Sequence, residues 1–180
     1  MCETYRDQYG CNFISVMPTN LYGPYDNFDL MSGHVLPALL VKAHNAKQRH
    51  LPSFGIWGTG SPRREFLHVT DLVDGLVHLL KFYSGEQHVN IGFGSDVTIF
   101  ELAHAIKDCV GFEGEIVFDR TKPDGTPRKL MDSSFMRSMG WLPRIDLDDG
   151  LRSTYSWYLK NAASLGANGA DNYSPMLASE

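Results

Sequence analysis

Cys11 to Val16 reads Cys-Asn-Phe-Ile-Ser-Val, a short run rich in β-branched and aromatic residues that suits a buried parallel strand. It runs into Met17-Pro18-Thr19-Asn20-Leu21-Tyr22-Gly23-Pro24, where Asn, Gly and Pro turn the chain. Ahead of it, Met1 to Tyr9 fits the last turns of a helix that Gly10 stops. The polar and aromatic segment Tyr25 to Ser32 reads as a loop, and His34 to His44 as a helix. Phe54 to Trp57 predicts a strand that ends in Gly58-Thr59-Gly60-Ser61-Pro62. Phe66 to Val69 continues extended, and Thr70 or Asp71 is expected to cap a helix with Leu72, Val73, Leu76, Leu79 and Leu80 on its apolar positions.

Gln87 to Gly92 reads as another strand. Thr98 followed by Glu101 has the spacing of a capping box, in which hydroxyl and carboxylate each take a backbone N–H at a helix start. That helix carries Leu102, Ala103, Ile106 and Val110 at apolar positions. Glu115 to Phe118 predicts a strand, Ser133 to Met139 a short helix before Gly140-Trp141, and Leu147 to Leu159 a final amphipathic helix. Beyond Asn161 the residues are small and polar with no apolar period, which predicts a flexible tail over 162–180. Strands alternating with helices, and no internal repeat, predict an α/β fold.

A chain of 180 residues can bury a sizeable core. Its formal net charge of −5 argues against a nucleic-acid binder, because phosphate contacts need a basic excess. Arg63-Arg64 and Arg128-Lys129 are local basic spots. Converging on one pocket, they suit a diphosphate; apart, they are solvated surface. Three widely spaced cysteines, Cys2, Cys11 and Cys109, with no Cys-x-x-Cys, support neither a disulfide framework nor a zinc knuckle. The longest apolar run, Val35 to Val41, contains Pro37 and falls far short of the roughly 20 residues a membrane span needs. With no signal-peptide pattern at the start, the cytoplasm is the expected address.

Three motifs carry chemistry: Pro18-Thr19-Asn20-Leu21-Tyr22-Gly23-Pro24; Ser32-Gly33-His34-Val35-Leu36-Pro37-Ala38-Leu39-Leu40; and Trp57-Gly58-Thr59-Gly60-Ser61-Pro62-Arg63-Arg64-Glu65-Phe66-Leu67-His68-Val69. Lys122-Pro123-Asp124-Gly125-Thr126-Pro127-Arg128-Lys129-Leu130 and Gly140-Trp141 follow in the same order. This series resembles the GDP-L-fucose synthase family of extended short-chain dehydrogenases/reductases, from about Met1 to about Asn161. The family's Gly-rich phosphate fingerprint and its Tyr-x-x-x-Lys set are not found in the chain. Gly92-Phe93-Gly94 has no third glycine in register, and no tyrosine is followed four residues on by lysine. The resemblance is therefore to the family's carboxyl-terminal portion, with Met1 to Gly10 matching the end of the helix after the catalytic lysine.

The resemblance implies a Rossmann-type fold with a small mixed α/β substrate-binding lobe, the two interleaved in sequence. Residues 1–24 and 66–92 would belong to the dinucleotide-binding domain, and 25–65 and 93–161 to the substrate lobe. It also implies NADPH as cofactor, GDP-4-keto-6-deoxymannose as substrate, epimerisation at C3 and C5 before reduction at C4, and a homodimer. His34 matches the family's histidine acid, and imidazole suits a proton donor near neutral pH. The partner cysteine base matches neither Cys2 nor Cys11. Pro18, Thr19, Asn20, Leu21 and His34 fall at cofactor-binding positions, beyond a strand's carboxyl end where open α/β sheets meet their ligands.

Lys42, Trp57, Arg64 and Asp124 fall at substrate-binding positions. The forked donors of Arg64 suit phosphate oxygens, and Trp57 offers an aromatic face or its indole N–H. Lys42 lies eight residues after His34, near the same helical face. By residue chemistry alone Asp124 is a turn-former in Pro-Asp-Gly, and a lone histidine is a surface or structural group. His68 and Asp71 read as structural, with Asp71 capping a helix. No metal site is expected. Two other readings stay open: another nucleotide-sugar epimerase or dehydratase, and a non-catalytic nucleotide-sugar binding module. An isolated chain lacking the Tyr and Lys would not reduce a ketone, and its open strand edge would limit solubility.

Overall fold

The computed structural model describes residues 1–163; the tail expected over 162–180 falls almost wholly outside them. Helix α1, Cys2–Tyr9, ends where Gly10 adopts the left-handed φ of 66° and returns its N–H to the Arg6 carbonyl. No residue of α1 is buried. The strand expected over Cys11–Val16 forms instead as β1, Val16–Pro18, paired in parallel with β6, Val89–Ile91. A strand exists only where a neighbour meets its N–H and C=O groups, and β6 offers partners over that short register. Upstream, the Arg6 guanidinium pins the chain by donating to Asn12 Oδ1 (2.8 Å), the Phe13 carbonyl (3.1 Å) and the Gly85 carbonyl (3.2 Å).

After Thr19 the chain resumes as β2, Asn20–Tyr22, parallel to β5, Phe66–His68. Residues that read as a turn are thus extended, because β5 supplies a ladder no local pattern reveals. A loop leads to α2, Val35–Gln48, whose N-cap is His34. Strand β3, Ser53–Trp57, pairs in parallel with β8, Glu115–Asp119. Strand β4, Arg63–Arg64, lies between β7, Val97–Thr98, and β9, Arg128–Lys129. The two basic dipeptides are therefore neighbours, Arg63 opposite Arg128 and Arg64 opposite Lys129.

Helix α3, Val69–Phe82, corrects the expected cap. His68 is the N-cap and its Nδ1 accepts the Thr70 N–H (3.3 Å). Asp71 sits inside the first turn and takes the N–H groups of Arg144 (3.1 Å) and Ile145 (2.9 Å), tying a distant loop to the helix. Leu79 is buried as expected, whereas Val73 and Leu80 are exposed. Helix α4, Ile99–Val110, opens with the predicted Thr98/Glu101 capping box and buries Leu102, Ala103, Ile106 and Val110. Helix α5 spans Ser134–Ser138 and α6 spans Leu147–Asn161.

Two apolar clusters result. One unites α2, α4 and α6 with Phe54 and Ile56 of β3. The other joins Leu67, Leu79, Val89 and Ile91 with Met136 and Trp141, and Val16 and Leu21 pack against it. Fully burying a Leu or Ile side chain contributes about 1.5–3 kcal/mol, so each cluster is a real source of stability. The architecture is an α/β, Rossmann-type fold built on parallel strand pairs.

Candidate functional site

Strand β1 ends at Pro18, and Thr19 donates its N–H to the Ile91 carbonyl (3.0 Å), so the chain leaves one strand pair and enters the next at a single residue. Beyond that exit lies a cleft of about 440 Å³ lined by Thr19, Asn20, Leu21, Tyr22, Asp26 and His34, among others. The imidazole of His34 does not cap α2 and borders this cleft. Close approach of the Gly23 backbone to the Val69 side chain shapes the cleft. Gly23 has φ 149°, and a Cβ there would lie 2.6 Å from Val69 Cγ1. Pro18 borders a neighbouring cleft of about 400 Å³ with Thr19, Asn20 and the Lys129 to Met131 segment.

The sequence-predicted substrate residues form a second group. Trp57, at the end of β3, exposes 69% of its surface, with the Lys122 ammonium 5.9 Å from its ring centroid. Asp124 accepts hydrogen bonds from the Thr59 N–H (2.8 Å) and hydroxyl (2.7 Å), which hold its carboxyl below the usual carboxylate range. Arg64 Nη1 donates to the carbonyls of Thr126 (2.6 Å) and Arg63 (2.7 Å). The turn carrying residues 122–126 thus gathers Trp57, Asp124 and Arg64 around one segment. The part-buried Lys42 ammonium donates to the Gly55 carbonyl (3.3 Å), two residues before Trp57 on β3, and burial lowers its pKa.

The basic pairs are sorted by charge. Asp96 accepts from Arg63 Nε (2.8 Å) and Arg128 Nε (2.5 Å), and only 4% of its side chain is exposed. Side chains alternate along a strand, so Arg63 and Arg128 share one face and Arg64 and Lys129 the other. The carboxylate of Asp96 offsets the first pair, and the second is oriented away from it.

Asp26 is a residue that sequence reasoning passed over. It borders the His34 cleft, and its Oδ2 is buried with no hydrogen-bond partner among the described residues. Burial pushes its carboxyl up, while the Asn27 N–H and the charge of His34 pull it down. In the sequence it reads only as a loop residue. Its neighbour Tyr25 holds a φ of 68°, a conformation that costs a non-glycine residue on the order of 1 kcal/mol and that clusters at functional sites. Glu65 was also missed: it is wholly buried and bonded to three separate segments. Among the described residues no group of His, Cys, Asp and Glu could hold a metal ion, and no helix is long and apolar enough to cross a membrane.

Residues 1–92 match the model of the NAD dependent epimerase/dehydratase family. Over 163 residues the chain is 59% identical to GDP-L-fucose synthase 1 of Arabidopsis thaliana, covering 91% of this chain and 50% of that protein. A GDP-L-fucose synthetase from Naegleria fowleri, solved bound to NADP, superposes with a TM-score of 0.82 at 32% identity, covering 90% of this chain and 51% of that one. A GDP-6-OMe-4-keto-L-xylo-heptose reductase from C. jejuni gives a TM-score of 0.81 at 38% identity, covering 89% and 57%. The chain spans about half the length of the curated relatives it matches.

Proposed function

The chain belongs to the NAD dependent epimerase/dehydratase family, and from that premise we propose that it serves the NADPH-dependent conversion of GDP-4-keto-6-deoxy-D-mannose to GDP-L-fucose. The observation that carries this reading is a pairing of two groups of residues at one junction. Asn20, on the cleft with His34, pairs with Phe66 across β2 and β5, and Arg64 lies just two residues before Phe66. A cofactor end and a sugar-nucleotide end are thereby neighbours in the fold.

The cleft beyond β1 suits the nicotinamide end of NADPH: its roughly 440 Å³ has room for the ring and more, it lies at a strand's carboxyl end, and Thr19 to Leu21 line it. Held there by Thr19 to Leu21, NADPH would supply the hydride for C4. Pro18 to Leu21 orient the ring, and His34 supplies a proton on one face of the sugar during epimerisation. Arg64 grips the diphosphate with its free guanidinium nitrogens, Trp57 packs on the nucleotide, and Asp124, aligned by Thr59, accepts from a hydroxyl or amine of the substrate. Lys42, bonded to β3 two residues before Trp57, serves the substrate side of the site with its ammonium.

Residues 1–24 and 66–92 form the dinucleotide-binding side in this reading, and 25–65 and 93–161 the substrate lobe. The apolar clusters follow that division in outline, with Met136 and Trp141 crossing one way to pack with Leu79 and Ile91, and Tyr22 and Phe66 crossing the other way into the α2, α4 and α6 cluster. The working enzyme is a cytoplasmic homodimer. The similarity to the C. jejuni reductase favours a second reading, in which the GDP-linked 4-keto sugar is a different one.

One experiment separates them. The chain is assayed alone and joined to the amino-terminal half of the Arabidopsis synthase, with GDP-4-keto-6-deoxymannose and NADPH, and products are resolved by chromatography. GDP-L-fucose from the joined protein, lost in His34→Gln, is the expected result. A folded joined protein that yields no GDP-L-fucose overturns the proposal, and turnover of a GDP-linked keto-heptose in its place selects the second reading.

A further inference from the structure

Glu65 is the single residue between β4 and β5, and these strands belong to different sheets. Strand β5 pairs with β2 on the cleft side, and β4 pairs with β7 and β9 on the basic side. No part of Glu65 is exposed. Its Oε1 accepts the Gly94 N–H at 2.6 Å and its Oε2 the Met131 N–H at 3.2 Å. Its main-chain carbonyl accepts from Asn20 Nδ2 at 2.7 Å and from the Thr19 hydroxyl at 3.4 Å. A Cβ on Gly92 would lie 2.5 Å from Oε1, so glycine there leaves room for the carboxylate.

Four segments therefore meet on one residue: the Thr19–Asn20 exit, the loop after β6, the segment after β9 and, through the peptide bond, Arg64. A buried carboxylate is costly unless its oxygens are satisfied, and here both are, by backbone donors from chain segments far apart in sequence. The sequence between β4 and β5 could be spanned by any extended residue. A fully buried Glu at that position fixes more than chain continuity.

We propose that Glu65 is a positioning residue that sets Arg64 against Asn20, and so fixes where the nucleotide sugar's diphosphate lies relative to the cofactor cleft. This rests on the preceding functional reading for the ligand, and on hydrogen bonds alone for the junction. Glu65→Gln keeps the shape but turns an acceptor into a donor facing an N–H, leaving a buried pair repelling. Because Glu65 acts through Arg64, its effect on binding must vanish once the guanidinium is gone.

The test titrates GDP by calorimetry into the 180-residue chain as wild type, Glu65→Gln, Arg64→Ala and the double variant, with guanosine as the control ligand. Glu65→Gln is expected to weaken GDP binding roughly tenfold, leave guanosine binding unchanged, and add nothing in the Arg64→Ala background. Additive losses, or equal losses for GDP and guanosine, overturn the positioning role. If the wild-type chain binds no GDP, the nucleotide reading falls, and the junction is judged by NMR. Glu65→Gln must then shift the Asn20 side-chain amide and Arg64 Nε–H signals while the Leu102 and Ile106 amides stay in place; unmoved Asn20 and Arg64 signals refute it. Should Glu65→Gln not fold, hydrogen exchange of the wild type decides: Gly94 and Met131 amides exchanging as slowly as β5 amides support the junction, and free-loop rates refute it.

Discussion

Gly150→Ala sets two ordinary effects against each other. Gly150 lies inside α6, and replacing a mid-helix glycine by alanine stabilises a helix by roughly 1 kcal/mol. Packing opposes this. A Cβ at Gly150 would meet the Tyr22 hydroxyl, with Cζ at 2.7 Å and Cε2 at 2.9 Å, all closer than real Cβ contacts come. Neither side has room to retreat. Tyr22 is 2% exposed and wedged edge-on against His68 and Phe66, at centroid distances of 5.3 and 6.4 Å. Helix α6 is pinned by its Asp146 cap and by buried Leu151. Overpacking of this kind costs about 1–3 kcal/mol, and rigid neighbours select the upper part of that range.

The net expectation for Gly150→Ala is a loss of about 1–2 kcal/mol, or roughly 2–6 °C in Tm, measured by urea and thermal denaturation. Tyr22→Phe should recover part of that loss in the Gly150→Ala background by removing the nearest atom. Alone it should cost little, because the Tyr22 hydroxyl reaches the Asp146 carbonyl only at 3.5 Å. Equal or higher stability of Gly150→Ala, or strict additivity of the pair, would refute the claim that Tyr22 and α6 are locked together.

Thr98→Ala removes half of the capping box and should cost about 1 kcal/mol in urea denaturation; an unchanged midpoint would show that α4 does not depend on its cap. Hydrogen bonds from Arg128, then Arg63, hold the Asp96 carboxyl below its usual range. Its contribution is complete above the unfolded pKa of about 3.9 and lost as pH falls through the lower folded value, so Asp96→Asn should flatten the acid limb of Tm against pH below about 4. A limb of wild-type steepness would count against the clamp. Burial pushes the His68 imidazole down, with Asp71 partly offsetting it. The folded state therefore favours neutral His68, and its stability contribution falls as pH drops below about 6.5 toward the depressed value. His68→Asn should reduce the loss of Tm between pH 7 and 5 without abolishing it, because burial lowers His44 as well; an unaltered slope would exclude His68 as a contributor.

The sequence made the helices legible because their signals are local. Gly10 stops α1, the Thr98/Glu101 pair opens α4, and apolar spacing marks Leu102, Ala103, Ile106 and Val110 as core. The short strands were not legible. Asn20–Tyr22, Arg63–Arg64, Val97–Thr98 and Arg128–Lys129 are extended only because distant partners complete their ladders, and nothing within a two- or three-residue window carries that information. The exposed Val73 and Leu80 show the same limit from the other side. Their spacing is that of a buried helix face, yet no described residue covers them, so apolar period reports that a face suits burial and leaves its partner unspecified.

The candidate site divides along the same line. His34, Trp57, Arg64 and Asp124 were found through motifs, which name chemical groups but not their restraints. Asp96 and Glu65 supply restraints around them, and each is inconspicuous in sequence because its partners come from elsewhere in the chain. Asp96 shows why this matters for chemistry. Four cations in two adjacent strands would repel one another, like charges placed directly opposite being unfavourable in a sheet. One nearly buried carboxylate takes up Arg63 and Arg128, which lets the strands pair and leaves Arg64 and Lys129 as the face on which an anion is attractive. Half of the basic cluster is thus neutralised, and charge counting along the chain, with its net −5, conceals that sorting.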